Sequence, residues 1–279
     1  MRALTKPEFS AETVFLASIS RVKNKELKQR LEDCLNEIIR DATDYDLKAT
    51  EAKLHLLQKK TILNGNVTRK EMEAVYTDRF AKLKTPGRHF YDKLKETDDG
   101  KCPLCNQLPV KTLDHHLAKS DFPSLALSPN NLVPACSDCN TIKKAAFPTS
   151  SEEETLHPYF DNIEDDQWLF ADVLQTYPIS MNFFIKPPTQ VTELLAHRVL
   201  HHFNFYKLNT LYKSEAASEL RNIAYQMRNL FELAGPEAVK EQLIERSESS
   251  FHDRLNSWKS AMYQALSNDN WYITTGIQL

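Results

Sequence analysis

Apolar residues recur along the first hundred positions at the spacing of helix faces. Val14, Leu16 and Ile19 open a short stripe, and Leu27, Leu31, Leu35, Ile38 and Ile39 form a longer one, which predicts amphipathic helices. Leu54 and Leu57 follow a break, and Asn64-Gly65-Asn66 marks a turn. Met72, Val75, Tyr76 and Phe80 predict a further helix, which Pro86-Gly87 ends ahead of the RHFYDKLKE segment. The helical period returns around Leu194 to Leu211, Leu220 to Leu233, Val239 to Ile244 and Leu255 to Leu266, with Gly235-Pro236 as a stop and a restart at Glu237. The middle of the chain differs. Val110-Lys111-Thr112-Leu113 alternates as a short strand does, and Leu132-Val133-Pro134 is a second apolar run. Ser137 or Asp138 is a suitable N-cap for a short helix through Ile142 and Lys143. The pattern predicts a mainly α chain with a helical N-terminal region (1–100), a central module (101–148), and an acidic loop with a helical C-terminal region (149–279).

Composition agrees with the helical reading. Only five glycines occur in 279 residues, few for an all-β or α/β protein, while 41% hydrophobic residues suffice for a buried core. No apolar run reaches the length of a membrane span, and unpaired thiols suit a reducing compartment, so a cytoplasmic location is expected. Charge is uneven. Residues 1–101 hold 21 basic and 17 acidic side chains, 102–150 hold 4 and 3, and 151–279 hold 10 and 18. The acidic C-terminal region is expected to be scaffold or a protein-binding surface, because nucleic-acid affinity rests largely on phosphate neutralisation. Its acidic runs, Glu152-Glu153-Glu154 and Asp165-Asp166, read as solvated.

Four of the five cysteines form two Cys-x-x-Cys pairs, Cys102 with Cys105 and Cys136 with Cys139. Each pair can grip one side of a tetrahedral zinc once the intervening loop closes. A disulfide framework fits less well, since Cys34 is left over and a chain of this size needs no covalent staples. Cys34 lies on the apolar side of its helix and is expected to be buried. Between the pairs, Asp114 and His115 would emerge together at the end of the first strand. Asn131 opens the second strand, and Asn140 falls in the first turn of the short helix.

Strand, loop, strand and helix carrying Asp114-His115, Asn131 and Asn140 between two cysteine pairs resemble the ββα-metal module of HNH endonucleases, in its four-cysteine zinc variant. The resemblance implies catalytic positions at His115 and Asn131, with Asp114 and Asn140 as oxygen ligands of a catalytic Mg2+ or Mn2+. Asn140 departs from a literal His-Asn-His pattern but can still offer a carbonyl oxygen. The chemistry suits phosphodiester hydrolysis. A hard cation neutralises developing charge, neutral His115 takes the proton of the attacking water, and the Asn131 amide pins the loop that aims the imidazole. An unperturbed imidazole titrates at about 6.5, so much of it would be competent near neutrality.

His116 is the rival base, expected to pack or to face substrate on the opposite side from His115, and Lys119 is a candidate phosphate contact. His197, His201 and His202 stand at helical spacing, but Arg198 occupies the place where a zinc-protease helix needs its glutamate, so they read as helix-face residues. The HPYFD segment at His157 resembles an element that follows the module in related HNH proteins, with Tyr159 and Phe160 expected to pack back onto it. CPLC, LDHHLAKSDFPSLALSPNNLVPACSDCN and HPYFD together most closely resemble the HNH component of Septu-type and retron-associated antiphage systems over residues 86 to 160. That resemblance implies a DNA-cleaving effector working with an ABC-like ATPase partner and, in retrons, a reverse transcriptase with its small DNA. An RNase acting on RNA such as host transfer RNA is the alternative substrate reading. A non-catalytic zinc module binding nucleic acid or protein is the alternative of another class, against which Asp114, His115, Asn131 and Asn140 together argue.

Overall fold

The structure is a computed structural model that describes residues 1–279. It forms two compact units, Met1–Asn162 and Ile163–Leu279.

Local sequence sets the helices of the first unit. Ser10 caps α1 (Ala11–Ile19) by accepting from Thr13 N, and Asn24 caps α2 (Lys25–Asp33) by accepting from Leu27 N. The long stripe through Leu27 and Ile39 divides at Cys34, which joins α2 to α3 (Leu35–Thr50) in helical conformation. Cys34 is fully buried, its thiol 3.3 Å from Arg30 O, and burial pushes that thiol up to about 11. Asn64 and Gly65 take positive φ in the turn between β1 (Ile62–Leu63) and β2 (Val67–Thr68). A capping box between Thr68 and Glu71 then starts α4 (Arg69–Val75), which continues as a π-helical turn over Tyr76–Phe80. The chain reaches α5 (Arg88–Lys95) across Gly87, where a Cβ would stand 2.6 Å from Ser18 Oγ and 2.8 Å from Arg79 O. No side chain fits there.

The capping box also carries charge. Arg30 Nη2 donates to Glu71 Oε1 at 2.6 Å, and that bond holds the carboxyl down at about 2. Because the folded value lies below the usual 4.5, the stabilisation is complete above pH 4.5 and is lost as pH falls toward 2. Glu71→Gln should cost about 1 kcal/mol at neutral pH. It should also flatten the pH dependence of unfolding below pH 4.5, a difference that denaturant titrations at pH 3 and pH 7 would read.

The central module follows the predicted order. β3 (Thr112–His115) pairs antiparallel with β4 (Leu132–Ala135), with His115 opposite Leu132, and α6 (Ser137–Lys143) packs on β3. The cap of α6 is Cys136, not Ser137 or Asp138, because its sulfur accepts from Cys139 N at 3.3 Å. Module and helices share one core: Leu113, Ala126, Leu127 and Leu132 are clustered with Val14, Phe15, Leu31, Ile38, Met72 and Phe80. The N-terminal helices are thus the walls of the module.

In the second unit α7 (Glu193–Phe205), α8 (Leu208–Asp253), α9 (Trp258–Asn268) and α10 (Asn270–Thr274) follow the helical periodicity. The stripe from Leu194 to Leu211 breaks at Lys207, which takes φ +52°, and α8 is interrupted at Gly235, whose φ of +78° ends one helix before Pro236 starts the next. The departure from an all-helical region is a hairpin, β5 (Leu169–Leu174) against β6 (Ser180–Ile185). Its inner face places Leu169, Met181 and Phe183 in the core, with Phe183 edge-on to Tyr212 at 5.7 Å. On α7 the buried stripe is Arg198, Val199, His202 and Phe203, whereas His197 is exposed. No helix is long and apolar enough to cross a membrane.

Candidate metal centre and active site

Two knuckles bring the four cysteines together. In the first, Cys102 N donates to Leu108 O at 2.8 Å, Asn106 takes φ +53°, and Leu108 N points at Cys105 Sγ at 3.5 Å. The second knuckle is the start of α6. All four sulfurs are buried and lie within 4.8 Å of one another, with Cys105 Sγ 3.9 Å from Cys136 Sγ. A tetrahedron with Zn–S bonds near 2.3 Å has S···S edges of about 3.8 Å, so the cluster fits zinc. Donors aimed at sulfur, from Leu108 N and Cys139 N, suit thiolates.

Asp114, His115 and Asn131 meet within the module. Asn131 is fully buried, and its amide is completely used: Oδ1 accepts from Leu117 N at 2.7 Å, while Nδ2 donates to Leu117 O at 3.0 Å and Leu125 O at 3.1 Å. It therefore ties both ends of the loop between β3 and β4. Asn131→Ala would orphan two buried backbone groups, Leu117 N and Leu117 O, and leave Leu125 O with Ser128 N alone, and should cost about 2–4 kcal/mol. Hydrogen exchange at Leu117 and Leu125 should report the loosened loop, and unchanged protection there would refute the role.

His115 is held from two sides. Its ring lies 4.5 Å from the Tyr76 ring, which the π-helical turn presents, and Nε2 lies 3.0 Å from Ala126 O. A carbonyl can only accept, so Nε2 carries the hydrogen and Nδ1 is left as the basic nitrogen. Burial drives the imidazole down to about 3, with the charges of Lys119 and Lys143 adding to the effect. The ring therefore stays neutral across the physiological range, rather than half-titrating as an exposed histidine would. Lys119 Nζ stands 5.2 Å from the Tyr76 ring, near enough for its charge to act on His115.

Asp114 is buried beside a lysine that sequence reasoning passed over. Lys143 Nζ lies 3.5 Å from Asp114 Oδ2 and donates to His115 O at 2.6 Å. Burial raises the Asp114 carboxyl to about 6 against the pull of that ammonium. Asn140 lies three residues before Lys143 on α6, and residues so spaced share a helix face. The face that reaches β3 therefore carries Asn140 as well. Asn140 is half-buried there, and a carboxylate and an amide carbonyl are hard oxygen donors of the kind a divalent cation takes.

His116 points to the other side of the strand end. Its ring packs on that of His157 at 4.2 Å. Tyr159 N donates to His157 Nδ1 at 3.2 Å, so Nε2 bears the hydrogen and donates to Tyr45 Oη at 2.8 Å. Tyr159 Oη donates to Leu132 O at 3.2 Å, and Phe160 stands edge-on to His157 and Tyr45. The HPYFD segment thus buttresses the module and positions His116 as packing.

Comparison with known proteins bears on the same segment. Residues 102–146 match the family model described as HNH endonuclease, so the chain carries an HNH endonuclease domain there. Over 233 residues it is 29% identical to protein ea31 of Escherichia phage lambda, covering 78% of this chain and 79% of the phage protein. No solved structure matches it.

Proposed function

With an HNH endonuclease domain as premise, we propose that this chain is a metal-dependent endonuclease that hydrolyses phosphodiester bonds, with DNA as substrate. The observation that carries the reading is the 3.0 Å contact of His115 Nε2 with the Ala126 carbonyl, which assigns the hydrogen to Nε2 and leaves Nδ1 as the nitrogen we propose takes a proton from water. The presence together of Asp114, His115, Asn131 and Asn140 is the argument against a pure binding finger. Asp114 and Asn140 are the proposed ligands of a divalent cation, Mg2+ or Mn2+, which when bound neutralises charge on the phosphate and the departing oxygen. His115 accepts the proton of the attacking water. Tyr76 and Ala126 hold its ring, and Asn131 holds the loop that supplies the Ala126 carbonyl. Lys119 reaches the phosphate. The four cysteines bind zinc and keep the two strands and α6 in register.

The biological setting we propose is antiphage defence, with an ABC-like ATPase partner and, in a retron setting, a reverse transcriptase with its small DNA. A phage-encoded relative is compatible with a role in conflict between phage and host. The need for a partner follows from charge. Residues 1–162 hold 25 basic and 24 acidic side chains, and residues 163–279 hold 10 and 14, so neither unit is basic enough to hold a polyanion tightly.

The test is cleavage of plasmid, single-stranded DNA and RNA by the full chain, alone and co-expressed with an ATPase partner, across salt and with Mg2+ or Mn2+. Cutting of DNA that strengthens with the partner supports the reading. Cutting of RNA alone would replace the substrate, and full salt-resistant turnover by the isolated chain would remove the partner. Nucleic-acid binding without cleavage under every condition would sink the enzyme reading in favour of a binding module.

A further inference from the structure

Lys143 is a buried charged group that the proposed mechanism leaves unused. It is 3% exposed, in the last turn of α6, where Lys144 ends the helix with φ +49°. Buried lysines persist only with partners, and this one has two, both in the candidate site. Its ammonium donates to the backbone carbonyl of His115 at 2.6 Å and lies 3.5 Å from the carboxylate of Asp114. One side chain therefore ties the proposed base to the proposed cation ligand.

We infer that Lys143 is a positioning residue that acts as a built-in counter-cation, holding Asp114 and the end of β3 in place before the divalent cation arrives and weakening that cation's binding once it does. The inference rests on Asp114 and Asn140 as cation ligands. A fixed ammonium also explains how a carboxylate can be buried at the strand end without the cation. The same ammonium and a divalent ion on the other Asp114 oxygen would sit within several ångströms of each other. Like charges that close, shielded from solvent, repel strongly enough to cost the cation at least about tenfold in affinity. Weak cation binding keeps the site quiet until a substrate phosphate adds its own negative charge and oxygen ligands.

The experiment measures Mn2+ binding to the zinc-loaded full chain at pH 8 by electron paramagnetic resonance, beside single-turnover cleavage at saturating Mn2+. Zinc content and thermal unfolding are checked in each variant. Lys143→Met should bind Mn2+ about tenfold tighter or more than wild type, yet cleave at least about tenfold more slowly, because the His115 carbonyl has lost its donor. Lys143→Gln removes the charge but keeps a donor, so it should share the tighter binding and recover part of the rate. It also serves if the methionine variant fails to fold. Lys143→Arg keeps the charge and should keep the wild-type affinity. Mn2+ affinity unchanged or weaker in folded Lys143→Gln would overturn the inference while leaving the nuclease reading intact. Tighter Mn2+ binding in a chain that cuts no nucleic acid would do the reverse.

Discussion

Cys139→Ser is expected to cost the chain its zinc and, with it, the folded state of the Met1–Asn162 unit. A structural zinc contributes on the order of 10 kcal/mol or more, about the whole stability of a typical domain. The dependence reaches beyond the knuckles. Cys136 caps α6, α6 carries Lys143 to the end of β3, and Leu113 and Leu132 of the strands belong to the same core as Phe15, Ile38 and Phe80. Metal analysis should give one zinc per wild-type chain and markedly less in Cys139→Ser or Cys102→Ser, with limited proteolysis opening the first unit preferentially. Cys34→Ser is the control: that thiol is buried on Arg30 O, outside the sulfur cluster, so zinc should be retained and the cost held to about 1–2 kcal/mol. A Cys139→Ser protein with full zinc and an unchanged unfolding transition would refute the site.

The second large effect is on chemistry. His115→Ala should lower the cleavage rate by about 10²–10⁴, the usual contribution of a positioned general base, with zinc content unchanged. The structure adds a stability term, since the buried ring packs on Tyr76 and its removal leaves a cavity costing on the order of 2 kcal/mol. His115→Gln separates the two effects. Its amide nearly fills the space and can still donate to Ala126 O, but it offers no basic nitrogen, so it should fold better than the alanine variant and cleave no faster. Recovery of activity in His115→Gln would mean that the ring is a spacer and that the base lies elsewhere.

Much of the site was legible because it is local in sequence. Cysteine spacing alone points to a four-sulfur centre, and the alternation over Val110 to Leu113 with the apolar run Leu132 to Pro134 predicts the two strands, with Asp114 inside β3 and Asn131 in the short turn just before β4 rather than within it. Non-local features were not legible. Lys143 in a last helical turn reads as a solvated lysine, and only the packing of α6 on β3 buries it. Tyr76 reads as one more apolar position of a helix. A π-helical turn 39 residues upstream of His115 turns it onto the imidazole. The pKa of His115 likewise depends on burial by the N-terminal helices, which no local pattern encodes. The hairpin over 169–185 did carry a signal, in the alternation of Leu169, Ala171, Val173 and then Met181, Phe183, Ile185 around Tyr177-Pro178. The surrounding prolines and acids match a loop pattern and mask it.

The central claim is that Asp114, His115 and Asn140 form a cation-dependent hydrolytic site separate from the zinc. The most direct measurement is the single-turnover rate of phosphodiester cleavage by zinc-loaded, chelator-dialysed chain, with its partner, as Mg2+ or Mn2+ is added. The rate should rise from near zero to saturation while the zinc count stays at one per chain. Asp114→Ala should need a much higher cation concentration, and His115→Ala should stay flat at every concentration. Cleavage that persists without added cation, or that His115→Ala matches at saturation, would contradict the account.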